Sequence, residues 1–286
     1  MSVVLEVKNL THTYDGNTPF VKDAVSDVSL TVNKGEIVGI IGHTGSGKST
    51  LVQHLNGLLK PTEGKILLEG ADIWENPKEI RRVRSRVGLV FQYPEYQLFE
   101  ETVYADIAFG PKNMGVTGDE LDKRIREICA LIGIDEEYFD KSPFDLSGGE
   151  KRRVAIAGVM AMRPEIIVFD EPVAGLDPKG RADIVRIIRD YRDTYGATVL
   201  IVSHNMEDMA VLADKLVVMN RGRLEMFGTV DEVFSKGEKL ASIGLNVPIV
   251  TRVFDLLRKK GLNVPENIFT VDAAVEFLMK EGCGDA

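Results

Sequence analysis

The sequence has few cysteines and no long apolar segment. Its 286 residues include two cysteines, Cys129 and Cys283, which lie far apart and without the spacing of metal ligands. Neither a disulfide nor a zinc site is therefore predicted. No apolar run reaches the length of about 18 residues that a membrane-spanning helix needs, and the first residues, 1–6, lack the basic and apolar regions of a secretory signal. We expect a protein of the cytosol.

An excess of positive charge is also lacking. The chain has 35 lysines and arginines against 44 aspartates and glutamates, a formal net charge of −9 at pH 7. Because general affinity for nucleic acid depends on basic side chains that neutralise phosphates, no nucleic-acid partner is expected. The exception is a basic cluster, which we interpret as a solvated helix face in preference to a nucleic-acid patch. It consists of Arg81, Arg82, Arg84 and Arg86.

The hydrophobic pattern predicts a globular α/β chain. Short strand-like segments fill residues 3–38, and the apolar run 37–41 is typical of a strand buried on both faces. After a helical block at about 95–160, three more buried strands alternate with helical patterns, the rhythm of a parallel sheet. Beyond residue 228 the pattern is helical again. A helix is predicted between Pro248 and Gly261, and another at 271–279 with Thr270 as its cap.

The first chemical signal is a glycine-rich loop between a predicted strand and a predicted helix. Residues 42–49 fit the P-loop pattern, in which glycines allow close backbone approach and the following helix N-terminus directs N–H groups at phosphates. We expect Lys48 to reach the β- and γ-phosphates and Ser49 to ligate Mg²⁺; an ordinary tight turn is the alternative. The candidate nucleotide-binding residues here are Gly42, His43, Thr44, Gly45, Ser46, Gly47, Lys48, Ser49 and Thr50.

The second signal is an apolar strand, 166–169, that ends in two carboxylates, Asp170 and Glu171. This is the Walker B arrangement, which places Asp170 beside Mg²⁺. Glu171 comes next along the strand and points elsewhere, where it could accept a proton from an attacking water. Many strands end in aspartate, so the pattern gains its meaning from the P-loop before it.

The third signal is Leu146-Ser-Gly-Gly-Glu150, which runs into a helical segment. Two glycines at a capped helix start form a second anion-binding end, although one nucleotide site does not need two phosphate cradles in one chain. We therefore expect this segment to serve a nucleotide bound mainly by another subunit. A helix capped by serine and nothing more is the alternative.

These signals together resemble ATP-binding-cassette ATPases, whose signature is Leu-Ser-Gly-Gly between a P-loop and a Walker B strand. Further landmarks of that family follow over residues 3–230. They are Tyr14, where the family stacks adenine on an aromatic, the Q-loop Gln92, the D-loop Ala174-Gly175-Leu176-Asp177, and the switch histidine in Ser203-His204. The sequence departs from the family at Glu150, where glutamine is most common.

A closer resemblance is to the ATPases of energy-coupling-factor transporters, which power vitamin and metal uptake. This resemblance rests on residues 42–50, 91–99, 106–111 and 142–145, and on the tail from about 240. Such systems commonly pair two related ATPases, and this chain is more similar to the second of the pair.

The resemblance implies an α/β fold: a P-loop NTPase (RecA-like) core with an antiparallel β-subdomain, a helical subdomain at about 95–160 and a small helical C-terminal extension. It divides the chain into a nucleotide-binding domain, 1–230, and an extension, 231–286. ATP and Mg²⁺ are the implied cofactors. Glu171, His204 and Gln92 are the implied catalytic residues, and Ser49, Gln92 and Asp170 the implied metal-site residues. Ser147, Gly148, Gly149 and Asp177 would act in trans, across a dimer interface.

The implied partners are a second cassette ATPase (a paralogue or a second copy), an integral membrane coupling subunit and a membrane substrate-binding subunit. The implied location is the cytoplasmic face of the cell membrane, as a peripheral protein. Three alternatives stay open: the ATPase of a binding-protein-dependent importer, a soluble cassette ATPase acting on DNA or ribosomes, and a P-loop kinase. The last would not need residues 146–149.

An aromatic stretch directly after Gln92 has two interpretations. Tyr93, Tyr96, Leu98 and Phe99 are either ordinary core or an exposed patch for a membrane partner. Residues His12, His43 and His54 share no metal-ligand spacing, so no ligand role is predicted for them.

Overall fold

A computed structural model describes residues 2–14 and 22–282. The sequence Asp15-Gly16-Asn17 predicts a turn, but these residues and Cys283 lie outside the described ranges. The strands are β1 (Val3–Tyr14), β2 (Lys22–Asn33), β3 (Ile37–Ile41), β4 (Glu63–Leu68), β5 (Ala71–Asp72), β6 (Val87–Val90), β7 (Ile166–Asp170), β8 (Thr198–Val202), β9 (Lys215–Asn220) and β10 (Arg223–Thr229). The α-helices are α1 (Lys48–Leu55), α2 (Ile80–Arg86), α3 (Val103–Asn113), α4 (Gly118–Ile132), α5 (Gly148–Met160), α6 (Pro178–Tyr195), α7 (Met206–Leu212), α8 (Val230–Phe234), α9 (Gly237–Ser242), α10 (Ile249–Lys259) and α11 (Val271–Gly282).

A six-stranded sheet in the order β10-β9-β3-β8-β7-β6 forms the centre of the fold. Four of its five strand pairs are parallel, and the fifth is the antiparallel hairpin of β9 and β10. Every residue of β3, β6, β7 and β8 is buried, as expected for parallel strands that are covered on both faces. This confirms the predicted parallel α/β core. The sequence predicts a strand at 86–92 that ends in the Q-loop glutamine, whereas the observed strand ends at Val90, so Gln92 lies beyond its end.

A second, antiparallel sheet has the order β2-β1-β4-β5. The prediction of short strands over 3–38 was wrong for this sheet, since β1 and β2 have 12 residues each. Several register shifts interrupt their pairing. Such bulges break the regular alternation by which a long strand is recognised in a sequence.

The central sheet separates two hydrophobic cores. Alternate residues of β8 show this: Leu200 packs in the core that faces the antiparallel sheet and α1, whereas Val199 and Ile201 pack in the core that faces the helices. The helical spacing of apolar residues in 121–132 predicts one buried face, and in α4 all five are buried: Leu121, Ile125, Ile128, Cys129 and Ile132. Burial raises the pKa of the Cys129 thiol to about 12, so the side chain is part of the core and not a nucleophile.

The basic cluster divides into two pairs. Arg81 and Arg82 are exposed, as a solvated helix face requires. Arg84 donates to the carbonyl oxygen of Gly57, and Arg86 binds the carboxylate of Glu165 through two hydrogen bonds of 2.7 Å. The interpretation as a solvated face therefore holds only for the first pair.

The C-terminal helices follow the predicted boundaries closely. Gly261 lies just beyond the end of α10 with φ +87°, and the Thr270 hydroxyl accepts the N–H of Ala273 at the start of α11. Phe269 packs against Phe234 of α8, with ring centroids 5.8 Å apart. In the described part of the chain, no helix is long and apolar enough to cross a membrane.

Candidate nucleotide site

The glycine-rich loop connects β3 to α1. Gly47 has φ +99°, and a Cβ there would lie 2.4 Å from the carbonyl oxygen of Ala24, so only glycine fits. Lys48, the first residue of α1, is 9% exposed. Its Nζ donates to the carbonyl oxygens of Gly42 at 2.7 Å and of His43 at 3.0 Å. These bonds hold the ammonium group inside the curve of the loop.

Two carboxylates lie near this ammonium group. Burial lowers the pKa of Lys48, whereas the charges of Glu171 and Asp170 act in the opposite direction. Asp170 is the last residue of β7, and its burial raises the pKa of its carboxyl, while a hydrogen bond with Ser49 lowers it. The buried carboxylate of Asp170 and the exposed hydroxyl of Ser49 together form an oxygen donor set that suits Mg²⁺. Ser49 and Asp170 therefore fit the predicted metal.

Glu171 adopts a strained backbone conformation directly after β7. Its φ is +53°, unusual for a residue with a side chain, and its N–H donates to the carbonyl oxygen of Val202 at 3.0 Å. Such conformations cost roughly 1–3 kcal/mol and cluster at functional sites. Oε2 of Glu171 lies 2.9 Å from Nδ1 of His204. The structure thus brings together two of the predicted catalytic residues.

A cavity of about 450 Å³ lies over the loop. It brings together seven of the predicted nucleotide-binding residues: Tyr14, His43, Gly45, Gly47, Lys48, Ser49 and Thr50. Among the described residues, its lining does not include the other predicted residues of the site: Gly42, Thr44, Ser46, Gln92, Asp170, Glu171 and His204. Tyr14 is 44% exposed, its hydroxyl lies 3.4 Å from that of Thr50, and the ring of His12 packs edge-on against its ring at 4.6 Å.

Four lining residues were not predicted: Asp23, Ala24, Arg221 and Gly222. Arg221 and Gly222 form the turn between β9 and β10, and this turn is fixed to the loop because the Gly222 N–H donates to the carbonyl oxygen of Ser46 at 2.9 Å. Residues 216–219 have the apolar pattern of a buried strand, and the sequence Asn-Arg-Gly that follows them is a turn signal. It indicates a hairpin, but not that the hairpin lies against the P-loop.

The signature segment begins α5 with a capping box. The Ser147 N–H and hydroxyl donate to Oε2 of Glu150 at 2.8 and 2.6 Å, and the Glu150 N–H donates to Oγ of Ser147 at 3.4 Å. The first two hydrogen bonds lower the pKa of Glu150, the one from the Ser147 hydroxyl most and the one from the Ser147 N–H next. The departure from glutamine thus places a carboxylate at a helix N-terminus, where the helix dipole favours it.

Space is open around the two glycines of the signature, as far as the chain is described. Gly148 and Gly149 are exposed, and a Cβ built on either would meet no described atom within 4 Å. The D-loop residue Asp177 is also exposed and caps α6, accepting the N–H of Gly180 at 2.7 Å. Within the described residues, none of Ser147, Gly148, Gly149 and Asp177 lines the cavity over the P-loop.

The aromatic stretch after Gln92 is mostly exposed. Tyr93, Tyr96 and Phe99 are 42%, 84% and 57% exposed, and Phe99 packs edge-on against Phe109 at 4.8 Å. Leu98 instead packs against the main hydrophobic core. The stretch is therefore neither all core nor all surface.

Comparison with known proteins shows the family of the chain. A family model described as ABC transporter matches residues 25–174, and the chain belongs to that family. Its close homologues are energy-coupling factor transporter ATP-binding proteins EcfA2. It is 51% identical over 276 residues to the one from Caldanaerobacter subterraneus subsp. tengcongensis, covering 96% of each chain. It is 52% identical over 277 residues to the one from Clostridium tetani, again covering 96% of each.

Solved structures show the same fold. The cbiO1 protein of Clostridium perfringens, part of the ABC transporter complex cbiONQ, superposes with a TM-score of 0.76 at 36% identity, covering 90% of this chain and 100% of that one. The ATP-binding cassette MJ0796, a dimer bound to ADP and phosphate, gives a TM-score of 0.71 at 29% identity, covering 79% and 98%. The predicted fold class and the predicted class of protein, an ABC-type ATPase resembling energy-coupling-factor subunits, are confirmed.

Proposed function

We propose that the chain is one of two ATPase subunits of an energy-coupling-factor transporter that imports a vitamin or a metal ion. Residues 1–230, with a helical subdomain at about 95–160, would form its nucleotide-binding domain, and residues 231–286 an extension. The EcfA2 relatives and the dimeric cassette structures support this proposal. The working site would lie between two subunits, with the P-loop of each facing the signature of the other.

The position of the signature is the observation that carries the proposal. Ser147 and its two glycines begin a 13-residue helix whose N–H groups and dipole favour an anion. No other described part of this chain approaches the two glycines, and neither they nor Ser147 line the chain's own nucleotide cavity. Glycine is needed where another molecule comes close, so a nucleotide held by a partner explains both facts.

On the chain's own side, the P-loop amides and Lys48 would hold the β- and γ-phosphates, and Tyr14 would stack on adenine. Ser49 and Asp170, with Gln92, would hold Mg²⁺, which neutralises phosphate charge as negative charge develops. Glu171 would accept a proton from the water that attacks the γ-phosphate. His204, 2.9 Å away, would keep its carboxylate oriented.

Closure of the dimer would be the mechanical step. ATP contacts both subunits in the closed dimer and only one in the open dimer, so ATP shifts the population toward closure, and hydrolysis reverses the shift. The exposed aromatic residues Tyr93, Tyr96 and Phe99 border the Q-loop, which follows the nucleotide state. They would receive an amphipathic helix of the membrane coupling subunit, which holds the ATPase at the membrane.

A pair of mixed dimers tests the arrangement in trans. In one dimer, a Lys48→Ala chain is paired with a Ser147→Arg chain; in its control, a wild-type chain is paired with the double variant. Each mixed dimer is isolated through two different affinity tags. If the signature acts in trans, only the first dimer keeps one intact site and hydrolyses ATP. Activity of the control dimer alone would mean that each chain uses its own signature and would overturn the proposal.

A further inference from the structure

The guanidinium group of Arg152 connects three segments that are far apart in the sequence. Arg152 lies on the signature helix α5 and is 3% exposed. Its Nε and Nη2 donate to the two carboxylate oxygens of Glu95 at 3.0 and 2.8 Å. Its Nη1 donates to the carbonyl oxygen of Ala174 at 2.6 Å. Glu95 follows the Q-loop glutamine, and Ala174 begins the D-loop.

The ring of Tyr93 also lies beside the Arg152 guanidinium. It directly follows Gln92, has φ +55°, and its ring centroid lies 5.8 Å from Cζ of Arg152. A Cβ built on Gly175 of the D-loop would lie 3.9 Å from this ring. The Q-loop, the signature helix and the D-loop therefore meet around one buried cation.

Stability alone does not account for this choice of residues. Removing two charges from water is costly, and a well-packed apolar pair of similar size often stabilises a fold at least as well. A bidentate pair with two further bonds, to the carbonyl oxygens of Pro172 at 3.4 Å and Ala174, has one strict geometry instead. If any of the three segments shifts, a bond to the guanidinium is lost, so the segments are constrained to move together.

We propose that Arg152 is a positioning residue that couples the two nucleotide sites of the dimer. Gln92 follows the γ-phosphate of the chain's own site, whereas Ser147 and Asp177 face the nucleotide of the partner. Because Arg152 binds both the Q-loop region and the D-loop from the signature helix, the three segments move together. Closure at the chain's own site therefore positions its signature and D-loop against the nucleotide of the partner. The proposal rests on the arrangement in trans that is proposed above.

A double-mutant cycle on the assembled ATPase dimer tests the coupling. The variants are Glu95→Gln, Arg152→Gln and the double variant, assayed well below their melting temperatures. We expect kcat to fall about tenfold in each single variant, while the KM for ATP stays within about threefold because the P-loop is unchanged. The double variant should be no more than about twofold slower than the slower single variant, since residues that act as a unit are not additive.

Arg163→Gln is the control for the loss of an arginine that pairs with a carboxylate, although the Arg163 side chain is 29% exposed and that of Arg152 only 4%. Arg163 pairs with Glu127, and its Cζ lies 5.4 Å from the ring centroid of Tyr195, so it shares the carboxylate and ring contacts of Arg152 without reaching the Q-loop or D-loop. It should lower the melting temperature but keep kcat within about twofold.

Two outcomes would overturn the inference while the proposed function stands. One is a kcat of Arg152→Gln within about twofold of wild type; the other is a double variant whose loss is the product of the single losses. Failure of the proposed function looks different: the Lys48→Ala and Ser147→Arg pair then shows no activity, although the wild-type dimer hydrolyses ATP.

Discussion

Nδ1 of His204 lies 2.9 Å from Oε2 of Glu171, although the two residues follow different strands. Their strands, β7 and β8, are parallel neighbours in the central sheet. The carboxyl ends of parallel strands meet at one edge, so the groups after them come together. The imidazole thus lies beside the carboxylate of a residue whose backbone is strained, and a carboxylate near the nucleotide site is what a general base requires.

Replacing Glu171 by glutamine should nearly stop hydrolysis while ATP still binds. The amide keeps the shape of the side chain but cannot accept the proton of the attacking water, so we expect the rate to fall by roughly 10²–10⁴. Steady-state phosphate release measures the rate, and equilibrium binding of labelled ATP measures the affinity. Release within threefold of wild type would rule out Glu171 as the base.

Replacing Tyr14 by alanine should weaken ATP binding through loss of the adenine contact. Stacking of an aromatic side chain on a base contributes about 1–3 kcal/mol, or about a 5- to 150-fold change in Kd. Tyr14→Phe keeps the ring and loses only the 3.4 Å contact with Thr50, so its Kd should stay within about twofold. Binding of inorganic triphosphate should be the same in all three proteins. A Tyr14→Ala variant that loses triphosphate affinity equally would contradict a role in base stacking.

The nucleotide site was predictable wherever its residues are neighbours in the sequence. The P-loop combines a buried strand, glycines and a helix start in one short segment, and the capped start of α5 is equally local. The outer sheet was less predictable, because bulges such as those between Val7 and Leu10 of β1 interrupt the alternation of inward and outward residues.

The contacts that only folding creates could not be predicted. Arg221 and Gly222 reach the P-loop because β9 lies beside β3 in the sheet, and no local pattern records that order. Glu95 is recognisable as part of the Q-loop region, but its pairing with Arg152 depends on how the signature helix packs. A charged side chain within a helix is most often exposed, so the sequence does not predict that Arg152 is buried.

Glu150→Gln should leave activity near wild type and change the pH dependence of stability. Either side chain completes the capping box, but only the carboxylate also interacts with the helix dipole, by about 0.5 kcal/mol. The pKa of Glu150 is lowered in the folded protein, so its stabilisation is present above its ordinary value of 4.5 and is lost as the pH falls through the lowered folded value. Urea unfolding at several pH values should show this difference at pH 7 and not at strongly acid pH. A difference that grows toward acid pH would contradict the assignment.

The aromatic stretch after Gln92 yields a prediction that separates docking from stability. Tyr96 is 84% exposed, so Tyr96→Asp should leave the melting temperature unchanged while weakening binding of the membrane coupling subunit. Loss of a central aromatic contact costs about 2 kcal/mol, or about thirtyfold in Kd. Leu98 packs against the core, so Leu98→Asp should instead lower the free energy of unfolding, by about 2 kcal/mol.

Thermal unfolding of the isolated chain and co-purification with the coupling subunit measure the two effects. Val3→Asp is the control for adding a charge at an exposed apolar position, since Val3 is 49% exposed at the start of β1, on the antiparallel sheet. It should change neither quantity. If Tyr96→Asp co-purifies as well as Val3→Asp does, the aromatic residues are not the docking surface. If Tyr96→Asp melts several degrees lower, its side chain has a structural role that its exposure does not predict.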